Sequence, residues 1–406
     1  MNLLPPLQLL FRHFGYFFRI PLLGFAPYVV SGPQATRQIL VTENYKVRWR
    51  NPDPVTDLLR HGLLVTDSAE HDHLRRLMET PLAPTHLPRY VEMMCQQVDR
   101  VTATWQDNQV VDMLVESRKM ALLIIMDALF SVDIYPDLPR LWKPILKAIE
   151  FISPGPWILF RRIPRPGFKQ QLRILDTYLY RIIRMRRTSH AAPGTDLLSR
   201  LLTAGLPDDL IRDQMLTMLI AGHDTSTALL AWTFALLGQH PETLRCLVTE
   251  LDETLGSMPP AAPTGWQPPL LDDVIKESLR LYPPIHLGNR FTAEEMAFQH
   301  GRVPAGKRLF YSIYLTHRDP VHWQNPSAFC PERFSQGRKP PSFAYIPFGG
   351  GPRVCIGAAF GLAEARIVLA RLLQTFHFEL TQSHIHVHMG ATLEPRPGVL
   401  MKVTHR

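Results

Sequence analysis

Residues 347–357 read Pro-Phe-Gly-Gly-Gly-Pro-Arg-Val-Cys-Ile-Gly, three successive glycines shortly before a cysteine. Each glycine held where alanine would serve costs about 1 kcal/mol of backbone entropy. A fold that keeps three together needs unusual backbone angles, very close approach, or both. An apolar run with helical spacing follows, over residues 358–375. Cys355 therefore sits one turn before a helix, where the dipole and free N–H groups favour thiolate over thiol.

A phosphate loop would end in Gly-Lys-Ser/Thr, and none follows. A dinucleotide fingerprint fails on spacing and lacks a preceding βαβ unit. A nucleophilic cysteine stays open, but it needs a paired histidine that sequence does not locate. What remains is a ligand loop. A cysteine thiolate is an axial donor that pushes electron density onto haem iron. The glycines would let the loop lie flat beneath a macrocycle, Gly357 would let the helix approach it, and Arg353 could pair with a propionate.

The chain can bury a large core, with 406 residues and 46% hydrophobic composition. No Gly/Ser linker, low-complexity tract or repeat divides it, so residues 1–406 read as a single domain. Cys95, Cys246, Cys330 and Cys355 are too few and too far apart for a disulfide framework, and no C-x-x-C pair suggests zinc. A reducing, cytoplasmic setting follows. The apolar N-terminus is broken by Pro5, Pro6, Arg12, His13 and Arg19, short of the roughly 18 apolar residues of a spanning helix. Nor does it carry the basic start and cleavage site of a signal peptide. The net charge of +8 is partly local, in Tyr180–Arg187 and Phe160–Arg165. Neither stretch interleaves aromatics with bases, which argues against nucleic acid. A solvated basic helix is the plain reading, and an acidic protein partner the functional one.

Residues 20–31 read as a short hairpin around Gly24 and Pro27, and 33–44 show helical spacing. From about 85 to 290 the pattern is mostly amphipathic helix. One long helix runs from Pro207 to Gln239, with Asp208 and Asp209 at its positive end and Pro241 as its stop. Another, containing Leu-Asp-Asp-Val-Ile-Lys-Glu-Ser-Leu-Arg-Leu, halts at Pro283 and Pro284. Residues 296–315 read as short strands with turns at Gly301 and Gly306, and further strands close the chain. The fold class is mainly α with small β-sheets drawn from both ends.

Several of these stretches resemble the cytochrome P450 family, in order and in spacing. The haem-binding signature is matched at Phe348, Gly349, Gly351, Arg353, Cys355 and Gly357. Glu277 and Arg280 resemble the family's E-x-x-R, and Pro-Glu-Arg-Phe supplies Arg333. Ala221–Ser226, Ala-Gly-His-Asp-Thr-Ser, resembles the oxygen-activating helix motif, and His71 and Arg75 the H-x-x-x-R pattern. The resemblance runs from about residue 20 to the C-terminus. It implies the P450 fold, haem b (iron protoporphyrin IX) held through Cys355, and monooxygenation of a lipophilic molecule: a fatty acid, terpenoid, steroid or polyketide.

By the same resemblance, His71, Arg75, Arg290 and Arg353 serve the propionates, and Ala221 and Gly222 leave room for dioxygen. Thr225 would hold a water or reduced dioxygen, while Asp224 gates protons from solvent. On the residues alone, Thr225, Ser226 and Thr227 could equally bond back to carbonyls one turn earlier. Glu277 and Arg280 share a helix face, and with Arg333 would form a buried structural triad. His223 reads as a packed or partly solvated histidine.

Candidate pocket walls are Leu63, Val65, Leu219, Ile285, Leu287 and Ala391, with Ala221. Electrons would come from a separate ferredoxin or flavodoxin with its reductase, docked on a basic side including Arg353, Lys307 and Arg308. A peroxygenase or dehydratase of the same fold, and a haem sensor without turnover, are the alternatives. The pair Asp224–Thr225 argues against the former. His384, His386 and His388 alternate on a strand, a polar face more often solvated than metal-binding. Residues 156–160, Pro-Trp-Ile-Leu-Phe, read as a lid over a lipophilic channel or a membrane contact.

Overall fold

A computed structural model describes residues 4–20, 26–50, 53–154, 167–189, 194–260, 266 and 268–406. The hairpin turn near Gly24, the Trp157–Phe160 stretch and Phe160–Arg165 lie outside them.

The early helices are α1 (Leu4–Phe14), α2 (Pro33–Arg37), α3 (Pro54–Leu59) and α4 (Ser68–Met78). A helical layer follows: α5 (Val91–Thr102), α6 (Met113–Phe130), α7 (Leu138–Ile152), α8 (Phe168–Thr188) and α9 (Leu197–Thr203). Next come α10 (Asp208–Gln239), α11 (Pro241–Leu255), α12 (Pro269–Leu281), the single turn α13 (Ile313–Thr316) and α14 (Ala358–Thr375). The expected stops hold: α10 ends at Gln239, with His240 as its cap, and a new helix starts at Pro241, while α14 has the bounds its pattern indicates.

The strands are β1 (Phe17–Arg19), β2 (Tyr28–Val30), β3 (Val47–Arg48), β4 (Gln109–Asp112), β5 (Leu287–Thr292) and β6 (Met296–Phe298). They continue with β7 (Gly301–Val303), β8 (Arg308–Ser312), β9 (Phe376–Leu380), β10 (His386–Met389), β11 (Leu393–Arg396) and β12 (Leu400–His405). The main sheet has the order β1-β2-β8-β5-β3. β2 pairs with β8 in parallel, so the N-terminal hairpin is zipped onto the second half of the chain. The smaller sheets are β4-β12-β9, β10-β11 and β6-β7. The N-terminal apolar run forms α1, which buries Leu4 and Leu7 and leaves Leu9 and Phe14 exposed.

α10 is the axis of the main core. It is buried from Ile211 to Leu237 except at Ala221, Gly222 and Thr225, and touches α6, α8, α12 and α14. A helix apolar all round belongs in the middle of a large core. The basic run on α8 is largely neutralised from within: Arg181 meets Asp137, Arg186 meets Asp196, and Arg187 meets Asp208. That removes most of the free charge an acidic partner would seek. No helix among the described residues is long and apolar enough to cross a membrane.

Candidate active site

The loop before Cys355 is held by its own backbone. Gly349 N donates to Ile346 O (3.0 Å), Val354 N to Gly351 O (3.0 Å) and Cys355 N to Phe348 O (2.9 Å). At Gly351 both demands inferred for glycine meet. Its φ is +65°, and a Cβ would stand 1.9 Å from the carbonyl oxygen of Leu40. The close approach is thus to the protein's own backbone. At Gly357 a Cβ would meet only Cys355 Sγ, at an ordinary 3.9 Å, so the chain itself does not require glycine there.

Cys355 is solvent-accessible, yet protein crowds it enough that desolvation raises its thiol above the ordinary value. The Gly357 N–H and the charge of Arg75 act the other way. This corrects the expectation that the helix start alone favours thiolate. A coordinating metal cation deprotonates a thiol outright.

Beside the loop lies an excess of positive charge. Arg75, on α4, donates from Nη1 to Val354 O (2.8 Å), one residue from the cysteine. Arg353 bonds inward to Thr66 O and to Asp67 Oδ1 (2.6 Å). Burial lowers it to about 10, with Arg290 and Arg75 adding to the shift against Asp67. So constrained, Arg353 is not a surface docking residue, and Arg308 likewise pairs with Asp53 (2.8 Å). Arg290 lies over Trp49 (5.5 Å) and Tyr311 (5.4 Å) and has no carboxylate at ion-pair distance among the described residues. Buried His71 is lowered by desolvation, and by Arg353 and Arg75, against its contact with Asp72 (2.9 Å).

Midway along α10, Ala221, Gly222 and Thr225 are the partly exposed positions that interrupt its burial. Thr225 Oγ1 donates to Ala221 O (2.7 Å), the back-bonding expected of a helix hydroxyl. Gly222 departs from expectation. A Cβ there would lie 2.8 Å from Ile125 Cδ1, so the missing side chain admits α6 rather than a ligand.

Asp224 points the other way and is buried, not open to solvent as a gate would be. Thr392 Oγ1 donates to its Oδ2 (2.9 Å), and Arg118 Nη2 stands 3.7 Å from Oδ1. Arg118 also holds Glu394, which Arg396 meets at 2.9 Å from a half-exposed position. Burial pushes the Asp224 carboxyl up to about 6, Arg118 opposing and Glu394 reinforcing. His223 is packed, with neither ring nitrogen bonded among the described residues, and burial pulls it down to about 3.

Glu277, Arg280 and Arg333 come together in the structure. Arg280 donates from Nε and Nη2 to the two oxygens of Glu277 (2.7 and 2.8 Å), both side chains fully buried. Arg280 also reaches His317 O and Pro326 O, and Arg333 Nε meets Glu277 at 3.2 Å. The candidate pocket walls are dispersed. Leu63, Val65 and Leu219 are buried in the main core, with Ala391 packed against it. Leu287 packs with the N-terminal cluster, and Ile285 is exposed. His384 and His386 are exposed, and no three His, Cys, Asp or Glu side chains converge among the described residues. Sequence reasoning missed Arg118, Thr392 and Glu394. It also missed Glu364, whose signal was a lone acid inside the apolar run of α14.

Residues 2–402 match the family model of cytochrome P450. The chain belongs to the cytochrome P450 family. Among curated P450 relatives, pentalenene oxygenase of Streptomyces avermitilis is 31% identical over 93% of this chain and 85% of its own. Cyclooctatin synthase of Streptomyces melanosporofaciens is 28% identical over 91% and 83%. The structure of retinoic acid-bound cyanobacterial CYP120A1 superposes with a TM-score of 0.89 at 27% identity, covering 98% of this chain and 94% of that one. P450 monooxygenases bind haem b, and the residues here fit that group. Cys355 offers a thiolate for the iron, and Arg290, with no carboxylate at ion-pair distance among the described residues, stands with Arg353 (paired to Asp67) and Arg75 (paired to Glu79) as cations suited to the propionates.

Proposed function

We propose that this P450 acts on an apolar terpenoid hydrocarbon or alcohol in the cytoplasm, residues 1–406 working as one domain. Electrons come from a separate ferredoxin or flavodoxin and its reductase. Cys355 would hold the haem iron, Phe348, Gly349 and Gly357 would shape its loop, and His71, Arg75, Arg290 and Arg353 would pair with the propionates. Bound haem supplies the reduction of dioxygen, one atom entering the substrate and the other leaving as water with two electrons and two protons.

The protein's part is to bring the protons. The observation that carries the reading is the pairing, on one turn of α10, of a partly exposed hydroxyl with a buried acid. Thr225 Oγ1, anchored on Ala221 O, keeps its oxygen lone pairs available to a water. With its carboxyl raised to about 6, Asp224 exchanges a proton near neutral pH. Its connection outward runs through Arg118 and Glu394 to Arg396.

The terpenoid reading draws on relatives named for oxygenating pentalenene and cyclooctat-9-en-7-ol. Titration of the haem-loaded protein with terpenoids, steroids, polyketides and fatty acids tests it. Terpenoids should shift the iron spectrum as its water leaves, and ferredoxin-driven turnover should add one oxygen to them. A shift given by fatty acids alone overturns the substrate class.

A further inference from the structure

A cavity of about 510 Å³ opens between β1, the turn into α2 and the β6–β7 hairpin, sharing no residue with the Cys355 site. Asp319 lines it and is 1% exposed. Its Oδ1 accepts from Val321 N (3.0 Å), but Oδ2 has no hydrogen bond among the described residues. The Tyr16 hydroxyl is close enough for burial and this carboxylate to push it up to about 12, without satisfying Oδ2. His322 Nε2 stands 3.9 Å from Oδ2, an ion-pair contact only when the imidazole is protonated and beyond hydrogen-bond reach. On the same wall Ser31 Oγ is buried and also unpartnered.

Aromatic rings line the same cavity. Tyr16 stacks on His300 (6.1 Å between centroids) and Phe17 leans on Phe298 (6.2 Å). Phe17 is fixed in place, since a Cβ on Gly301 would lie 2.4 Å from its Cε1. A buried carboxylate oxygen without a partner is costly, and a cation beside it removes the penalty. A hard metal ion is a poor match, because calcium or magnesium favours several carboxylates and Asp319 is the only one among the described residues lining the cavity. Ring faces attract positive nitrogen instead.

We propose that this cavity binds an organic ammonium ion, its nitrogen set against Asp319 and its alkyl groups against Tyr16, Phe17 and Phe298. The site is independent of the catalytic reading, and its occupant need not approach the iron.

Choline is a suitable probe, since its quaternary nitrogen cannot ligate iron. Calorimetry is run on haem-loaded protein with imidazole on the iron, titrating choline and its neutral isostere 3,3-dimethylbutan-1-ol. Choline should saturate one site, with the isostere weaker by about tenfold or more. Asp319→Asn should weaken choline by a similar factor. That variant keeps an acceptor for Val321 N; should it still misfold, Tyr16→Leu leaves that contact alone and should weaken choline severalfold. No choline uptake, equal binding of the isostere, or unchanged affinity in the folded variants overturns the proposal.

Discussion

Ser226 Oγ donates a 2.6 Å hydrogen bond to Glu364 Oε2, joining α10 to the helix that follows Cys355. Both side chains are buried, and Glu364 Oε1 has no hydrogen bond among the described residues. No cation lies at ion-pair distance from that carboxyl among them. Burial pushes it up to about 8, so at neutral pH it is mainly a neutral acid wedged between two core helices.

That arrangement sets a pH dependence. The folded value lies above the ordinary carboxyl value, so the native state binds the extra proton and stability falls as pH rises toward about 8. Glu364→Gln stays neutral throughout. Its melting temperature should rise relative to the parent between about pH 5 and pH 9, the gap approaching several kcal/mol of stability. A gap that does not change with pH would show that the carboxyl is not held neutral.

Cys355→Ala should abolish the thiolate-type spectrum of the ferrous–CO complex. Buried Cys95, exposed Cys246 and half-buried Cys330 should each be replaceable without that loss. An intact thiolate spectrum in the Cys355 variant would refute the ligand assignment.

Glu277→Ala leaves Arg280 and Arg333 facing a buried void. Stranding a buried charge costs about 3–5 kcal/mol, so the variant should be haem-poor and melt well below the parent. Thermal unfolding checks this directly, and an unchanged melting temperature would contradict the burial.

Thr225→Ala should load haem normally yet divert electrons to hydrogen peroxide, read as product formed per electron consumed. Wild-type coupling in that variant would reduce the hydroxyl to its bond with Ala221 O. Asp224→Asn should mainly slow turnover. Peroxide-driven oxidation, which bypasses proton delivery, should suffer less in both.

Arg118 is the charge that opposes burial at Asp224. Arg118→Leu should therefore move the limb of the pH–rate profile that reports Asp224 to higher pH, above about 6. An unmoved limb would separate Asp224 from that titration.

Much of this was legible in the chain because it is local. The ends of α10 and α14 follow from apolar spacing, from the acids at Asp208 and Asp209, and from Pro241. The Glu277–Arg280 pair follows from a spacing of three on one helix face. Strand β4 escaped notice because four residues gain their pairing from β12, at the far end of the chain. Its sequence, Gln-Val-Val-Asp, is too short for an alternating pattern to mark it, although the Asp107-Asn108 turn precedes it.

The site divides in the same way. Residue order by itself determined which groups are present: a cysteine after three glycines, a hydroxyl beside an acid, an acid and an arginine on one turn. Tertiary structure decided what each one meets. Gly222 yields to Ile125 from α6, Gly351 to the Leu40 carbonyl, and Asp224 to Thr392, which is 168 residues away. Helical periodicity is a property of a dozen neighbouring residues. Burial and the charges around a carboxyl are set by segments that meet only when the whole chain has packed, and those settle where its proton goes.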